Sequence, residues 1–149
     1  MSNFTDGKTP ALAGMERVFI FGTIVWIFLQ VSRAIAIVLI NDIDAGVASE
    51  AWRYPAYLDL VAVVFAPPLI WAVWARRGLF TWVAAVVYWV VSIVDHVGNF
   101  VTTTFVGAPS IAEDMSNPYL VPVIQTVLDV VFLALLFVPR YRNLFFRVQ

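Results

Sequence analysis

The sequence predicts an all-α integral membrane protein, a bundle of four transmembrane helices with both termini on the cytoplasmic side (N-in/C-in). Three observations carry that expectation: 62% apolar residues with a mean hydropathy of +0.87, four apolar stretches of spanning length, and a one-sided distribution of basic residues. Soluble domains use apolar residues for nearer half of their length, so lipid is the main solvent this composition requires.

Crossing about 30 Å of hydrocarbon takes about 20 helical residues. Four stretches qualify, 17–40, 57–74, 81–102 and 120–139, and they make a single membrane domain of 1–149. Residues 1–15 hold Asn, Asp, Lys, Thr and Pro ahead of the first apolar run. They lack the apolar core and cleavage site of a signal peptide, so the first span is expected to remain in the mature protein. In the second span, Pro67-Pro68 removes amide donors and predicts a kink. Carbonyls freed in lipid need another partner, so the pair is expected at a tight helix crossing or on a pocket wall. Pro122 falls in the first turn of the fourth span, where a missing amide costs little.

The charges sort by side. Lys8, Arg17, Arg76, Arg77, Arg140, Arg142 and Arg147 lie in the N-terminal segment, the second link or the C-terminal segment, which four crossings place together. The other two links carry Asp42, Asp44, Glu50, Glu113 and Asp114, with Arg53 as their only base. The positive-inside rule then puts both termini in the cytoplasm. Trp52, Trp74, Trp82, Tyr57, Tyr119 and Tyr141 lie near the span ends, where amphipathic rings settle.

Several functions are excluded. A net charge of -1, with no glycine-rich phosphate loop and no lysine run, removes nucleic acid as a partner. The absence of cysteine removes disulfides, thiolate metal sites, iron–sulfur clusters and cysteine nucleophiles. A single histidine, His96, excludes bis-histidine haem ligation within the chain. The sequence points to no cofactor and no metal.

What remains is a set of polar residues inside the spans: Arg33, Asp59, Asp95, His96, Asn99, Gln125 and Asp129. Each is costly in lipid and needs a partner or water. At 1.5 Å per residue, Arg33 lies ~24 Å and Asp95 ~21 Å from the inner ends of their spans. Counted from the outer ends, Asp59 lies ~5 Å deep, Gln125 ~8 Å and Asp129 ~14 Å. All seven fall in the outer half, which predicts a shared polar chamber open to the non-cytoplasmic side or the outer leaflet. Asp95 and Asn99 share one helix face at i, i+4, with His96 about 100° away, and Gln125 and Asp129 repeat that spacing. Arg33, the only cation at this depth, is expected to pair with Asp95 or Asp129. A carboxylate left over would serve as a proton donor or acceptor, and His96 as the imidazole acid or base. Asp59, Asp95, His96 and Asp129 are therefore the candidate catalytic residues, and Arg33, Asn99, Gln125 and Trp89 the candidate ligand-binding ones. Trp26, Trp71 and Trp89 are candidate aromatic walls for a cation. The competing reading is helix glue: intramembrane pairs of this kind also hold helices together, at about 0.6–2 kcal/mol each. On that reading Asp59 is simply hydrated at the interface, and Thr102-Thr103-Thr104 caps a helix end.

Ala51-Trp52, the acid of Asp59-Leu60-Val61, Pro67-Pro68, Trp82, Tyr88, His96 and the run Asn117-Pro118-Tyr119-Leu120-Val121-Pro122 form a layout that resembles the emopamil-binding-protein and sigma-two-receptor group, the EXPERA family. The resemblance implies four spans, cytoplasmic termini and a buried acidic pocket for sterol-like or amphiphilic amine ligands. It would make Asp59 the pocket acid and His96 the pocket histidine. The family's usual acid is a glutamate, and Arg33 and Asp129 have no counterpart in its pattern.

The first functional expectation is thus a membrane protein that binds a sterol-like, terpenoid or other amphiphilic lipid, with proton-transfer isomerisation or cyclisation as its chemistry if it is an enzyme. The second is an accessory or anchor subunit of a larger membrane complex, or a homodimer, whose polar residues face a neighbouring chain. A proton-coupled transporter is a third, weakened by the lack of an internal repeat.

Overall fold

The structure, a computed structural model, describes residues 14–75, 78–112 and 116–146. Every regular element among them is helical, and four helical segments are long and apolar enough to cross a membrane: Gly14–Asp44, Glu50–Ala75, Gly78–Val106 and Leu120–Phe137. Lys8, Arg76, Arg77, Glu113, Asp114 and Arg147 lie outside the described residues. Arg17, Arg140 and Arg142 remain at the end of the bundle that carries Gly14, called here the terminal end. Asp42, Asp44, Glu50 and Arg53 remain at the opposite, loop end.

The first span is not a uniform helix. α1 (Gly14–Leu29) passes into a six-residue 3₁₀ stretch, Gln30–Ile35, and then into α2 (Ala36–Asp44). Such runs rarely exceed three or four residues, and in mid-helix they mark functional or strained sites. Here the stretch carries Arg33, and the Ser32 hydroxyl back-bonds to the Leu29 carbonyl at 2.8 Å. The span reaches Asp44, beyond the predicted residue 40, because its end is closed by a Schellman motif. Gly46 adopts φ +72°, its amide donates to Ile43 O at 3.0 Å, and the Val47 amide donates to Asp42 O at 2.8 Å.

α3 (Arg53–Ala75) is entered through Ser49, whose side chain accepts from the Ala51 amide, and a short 3₁₀ turn, Glu50–Trp52. Arg53 grips Glu50 through two donors at 2.6 and 2.8 Å and Asp44 at 2.8 Å, which fastens α3 to the end of α2. α3 continues through Pro67-Pro68. Both prolines are exposed, whereas Ala62, Ala66, Leu69 and Val73 form the buried stripe. The pair therefore occupies neither a tight crossing nor a pocket wall, because helical phase turns it outward.

α4 (Gly78–Val106) begins at a buried glycine with φ +72°, a conformation that a side chain would strain. α5 (Leu120–Phe137) ends where Val138 becomes extended. Pro139 then opens α6 (Pro139–Phe146), a separate helix that starts where the predicted fourth span ends. α6 folds back on the terminal end: Leu144 and Phe145 are buried, Tyr141 stacks on Phe19 at 4.4 Å, and Arg140 lies 3.9 Å from Glu16.

The interior is layered. A large apolar cluster fills the terminal half, from Phe19, Ile27 and Ala66 to Trp89, Leu136 and Phe145. A smaller one, Ala36, Leu39, Ile43, Trp52 and Ala56, fills the loop end. The alanines of α3 let its neighbours approach closely, as small residues do between membrane helices. The intramembrane charges lie between the two clusters.

Candidate functional site

Arg33 is the centre of the polar layer. Its Nε lies 2.5 Å from Asp59 Oδ1, its Nη2 donates to Asp95 Oδ2, and its Nη1 donates to Ser92 Oγ at 3.2 Å. The planar fork of donors is what allows one side chain to serve α3 and α4 together. The expectation that Arg33 pairs with Asp95 or Asp129 holds for Asp95 only. Its second carboxylate is Asp59, which is not merely hydrated.

Asp129 has other partners. The Trp26 indole Nε1–H donates to its Oδ1 at 2.7 Å, and its Oδ2 lies 3.3 Å from His96 Nε2, off the line of a hydrogen bond. His96 Nδ1 lies 3.3 Å from Arg33 Nη2. A guanidinium has no acceptor, so a hydrogen bond across that contact needs Nδ1 as its acceptor, while Nε2 lies 3.5 Å from Ser92 Oγ as well as near Asp129. The network thus runs Asp59–Arg33–Asp95 and Arg33–His96–Asp129–Trp26, across α3, the 3₁₀ stretch, α4, α5 and α1. It sets one guanidinium against three carboxylates. Asp95 Oδ1 is left without a hydrogen bond among the described residues, as are both polar atoms of the buried Gln30.

The network is sealed except at one member. Side-chain exposure is 4% for Arg33, 1% for Asp95 and His96, 0% for Asp129 and 20% for Asp59. Asp59 opens into a cavity of about 270 Å³ toward the loop end, where Asn99 and Thr103 of α4 are its other polar lining. The rest of the lining among the described residues is apolar, notably Trp52, Pro55 and Ile111. Pro109, Ile111 and Ala112, which follow α4, also line it, and Ser110 Oγ beside them donates to Asp42 Oδ2 at 2.6 Å.

The other expected site residues separate. Asn99 lines the cavity, while Gln125 is half-buried on α5 and joins none of the ion pairs. Trp89 is fully buried between Tyr88 and Phe132, at ring distances of 5.1 and 5.8 Å, and so is core and not a wall of the cavity. Trp71 is exposed, and Trp26 acts through its indole hydrogen. Thr103 is not a cap but a buried lining residue, whereas Thr104 back-bonds to Phe100 O at 2.8 Å. Ser92, Trp52 and the role of Trp26 were missed. Ser92 falls one turn before Asp95 and His96 on the same face, a signal the spacing already contained.

The Trp26–Asp129 bond yields a first prediction. Trp26→Phe keeps the ring but removes the donor, and hydrogen bonds to charged groups contribute about 1.5–3 kcal/mol. Reversible unfolding in mixed dodecyl maltoside–SDS micelles should show a loss of that size. A double-mutant cycle with Asp129→Asn should give a coupling of at least about 1 kcal/mol, and additivity would rule the bond out.

Fold and site together define a four-helix membrane bundle with a sealed ionic network behind an apolar cavity. No protein-family model, curated protein or solved structure matches the chain.

Proposed function

We propose that this protein binds an amphiphilic lipid, sterol-like, terpenoid or other, whose polar end meets Asp59 and Asn99 in the cavity at the loop end. The observation that carries the reading is the position of Asp59, which is at once the carboxylate of the cavity and a member of the buried network. An apolar lining with a few convergent polar groups is the usual form of a small-molecule site. The EXPERA resemblance, with Asp59 as its pocket acid, points the same way. Three carboxylates around one guanidinium in an apolar layer favour a compensating positive charge, supplied by a proton or by a cationic ligand. That favours an amine or hydroxyl head over a phosphate or carboxylate. It also equips the site for proton transfer, with Asp59 next to the ligand and Asp95, His96 and Asp129 behind it, as an isomerase or cyclase would need.

The accessory-subunit reading draws less support. It requires polar residues that face outward, whereas Asp95 and Asp129 are 1% and 0% exposed within the single chain. We place the loop end on the non-cytoplasmic side, since Arg17, Arg140 and Arg142 gather at the other end.

Native mass spectrometry with lipid extraction tests the proposal, on protein purified in mild detergent as wild type, Asp59→Asn and Asp95→Asn. A copurifying sterol, terpenoid or long-chain amine that is lost from Asp59→Asn is the expected result. A lipid-free protein in a stable larger complex would overturn the reading in favour of the subunit.

A further inference from the structure

The apolar cluster of the terminal half is threaded by polar side chains that the cavity does not use. On the first span Glu16, Thr23 and Gln30 are all buried and lie seven residues apart, so they share one helix face. Arg33, one 3₁₀ turn after Gln30, continues that face into the polar layer. On α4 the buried face carries Thr81, Tyr88, Ser92, Asp95 and Thr103, with the half-buried Asn99 between the last two. At 1.5 Å per residue this second stripe runs ~33 Å from Thr81 to Thr103, the full depth of a hydrocarbon core of about 30 Å. The two stripes meet where Arg33 reaches Ser92 and Asp95. Counted back from Arg33, Gln30 falls ~6 Å nearer the terminal end, at the level of Tyr88 and Trp89, and Thr23 ~10 Å beyond it, at the level of Thr81.

A hydroxyl on the inner face of a membrane helix can be satisfied by its own backbone, as Thr23 is by Phe19 O at 2.8 Å. The rest of the line is not. Six buried side-chain atoms have no hydrogen-bond partner among the described residues: both of Gln30, Thr81 Oγ1, Trp89 Nε1, Asp95 Oδ1 and Asp129 Oδ2. From the terminal end they run from Thr81 past Trp89 and Gln30 to the carboxylates of the ionic network. Unpartnered amide and hydroxyl groups are costly in an apolar cluster, and water that bonds to several of them removes that cost.

We propose that these residues form a proton path through the bundle and that the protein carries protons across the membrane. The path enters at Glu16, which lies beside Arg140 at the terminal end. It continues over water held by Thr81, Thr23 and Gln30, reaches Asp95, and leaves through Asp59 into the cavity at the loop end. At each step one O–H bond breaks as the next forms, on water or carboxylate, so the charge moves while every side chain stays in place. Arg33 does not relay, because a guanidinium keeps its protons. It holds Asp59 on Nε and Asp95 on Nη2, so the two carboxyls lie side by side along one edge of the fork and pass the proton between them. The path shares these two acids with the cavity and needs no lipid, so it stands apart from the lipid-binding reading.

Proteoliposomes loaded with pyranine and a potassium gradient, with valinomycin to set an inside-negative potential, test the path. Wild type should acidify the lumen at least tenfold faster than liposomes without protein, and Asp95→Asn should fall to within twofold of them. Gln30→Leu separates a path from packing. It replaces an unpartnered amide by an apolar side chain of similar size, so it should melt at a higher temperature than wild type and yet slow the flux at least tenfold. Loss of flux together with a lower melting temperature would assign Gln30 to packing and overturn its place in the path. A wild-type rate no greater than that of protein-free liposomes would overturn the proposal, as would wild-type conduction by Asp95→Asn or Gln30→Leu.

Discussion

Arg33→Met is expected to be the most destabilising single substitution among the intramembrane polar residues. The replacement keeps an unbranched side chain of similar length and removes the charge that faces Asp59 at 2.5 Å and also pairs with Asp95. Removing one partner of a buried ion pair typically costs about 3–5 kcal/mol, because the opposite charge stays behind in a medium that cannot solvate it. Two carboxylates are stranded here, and Ser92 loses its donor. Uptake of a proton by one of them limits the loss, which gives the control: Arg33→Met/Asp95→Asn should be more stable than Arg33→Met alone. Arg33→Lys should fall between wild type and Arg33→Met, since a single ammonium cannot span two carboxylates as the fork does. Unfolding in mixed micelles measures all three. A loss below about 1 kcal/mol for Arg33→Met would mean that the network contributes no more than ordinary helix glue.

The spans were legible because composition and charge placement survive any detail of packing. Their ends were not, since these depend on local devices: the Schellman turn at Gly46 carries the first span to Asp44, and Val138 and Pro139 divide what reads as one apolar run into α5 and α6. In the site, depth was legible and direction was not. In a layer of about 30 Å, an Asp59 placed ~5 Å from one face and an Arg33 placed ~24 Å from the other are at the same level. The pairing was therefore implicit in the count. The same arithmetic puts Trp26 near Asp129. What the sequence withheld was azimuth, because spans apolar on nearly every side have no hydrophobic stripe to orient them. Hence Pro67-Pro68 and Trp89, plausible pocket walls by type, proved to be surface and core, while Trp52 and Thr103, read as interface and cap, line the cavity.

Asp59→Asn should separate recognition from stability. The amide matches the carboxylate in shape and still offers an oxygen to Arg33 Nε, and Arg33 keeps Asp95. The excess of carboxylates over the guanidinium shrinks by one, so unfolding should shift by less than about 1.5 kcal/mol, well under the Arg33→Met loss. Binding should respond differently to the two kinds of head. A charge-assisted hydrogen bond contributes about 1.5–3 kcal/mol, or roughly 10- to 150-fold in affinity, so farnesylamine should weaken by that factor. Farnesol, which needs only an acceptor, should lose less than about threefold. Asp129→Asn is the counterpart: it lies behind the network at 0% exposure, so it should lower stability through Trp26 and leave the amine-to-alcohol preference unchanged. Equal weakening of both probes by Asp59→Asn would show that shape and not charge selects the head group. No weakening of either would remove Asp59 from the binding site, and with it the link between the cavity and the buried acids that the proposed proton transfer requires.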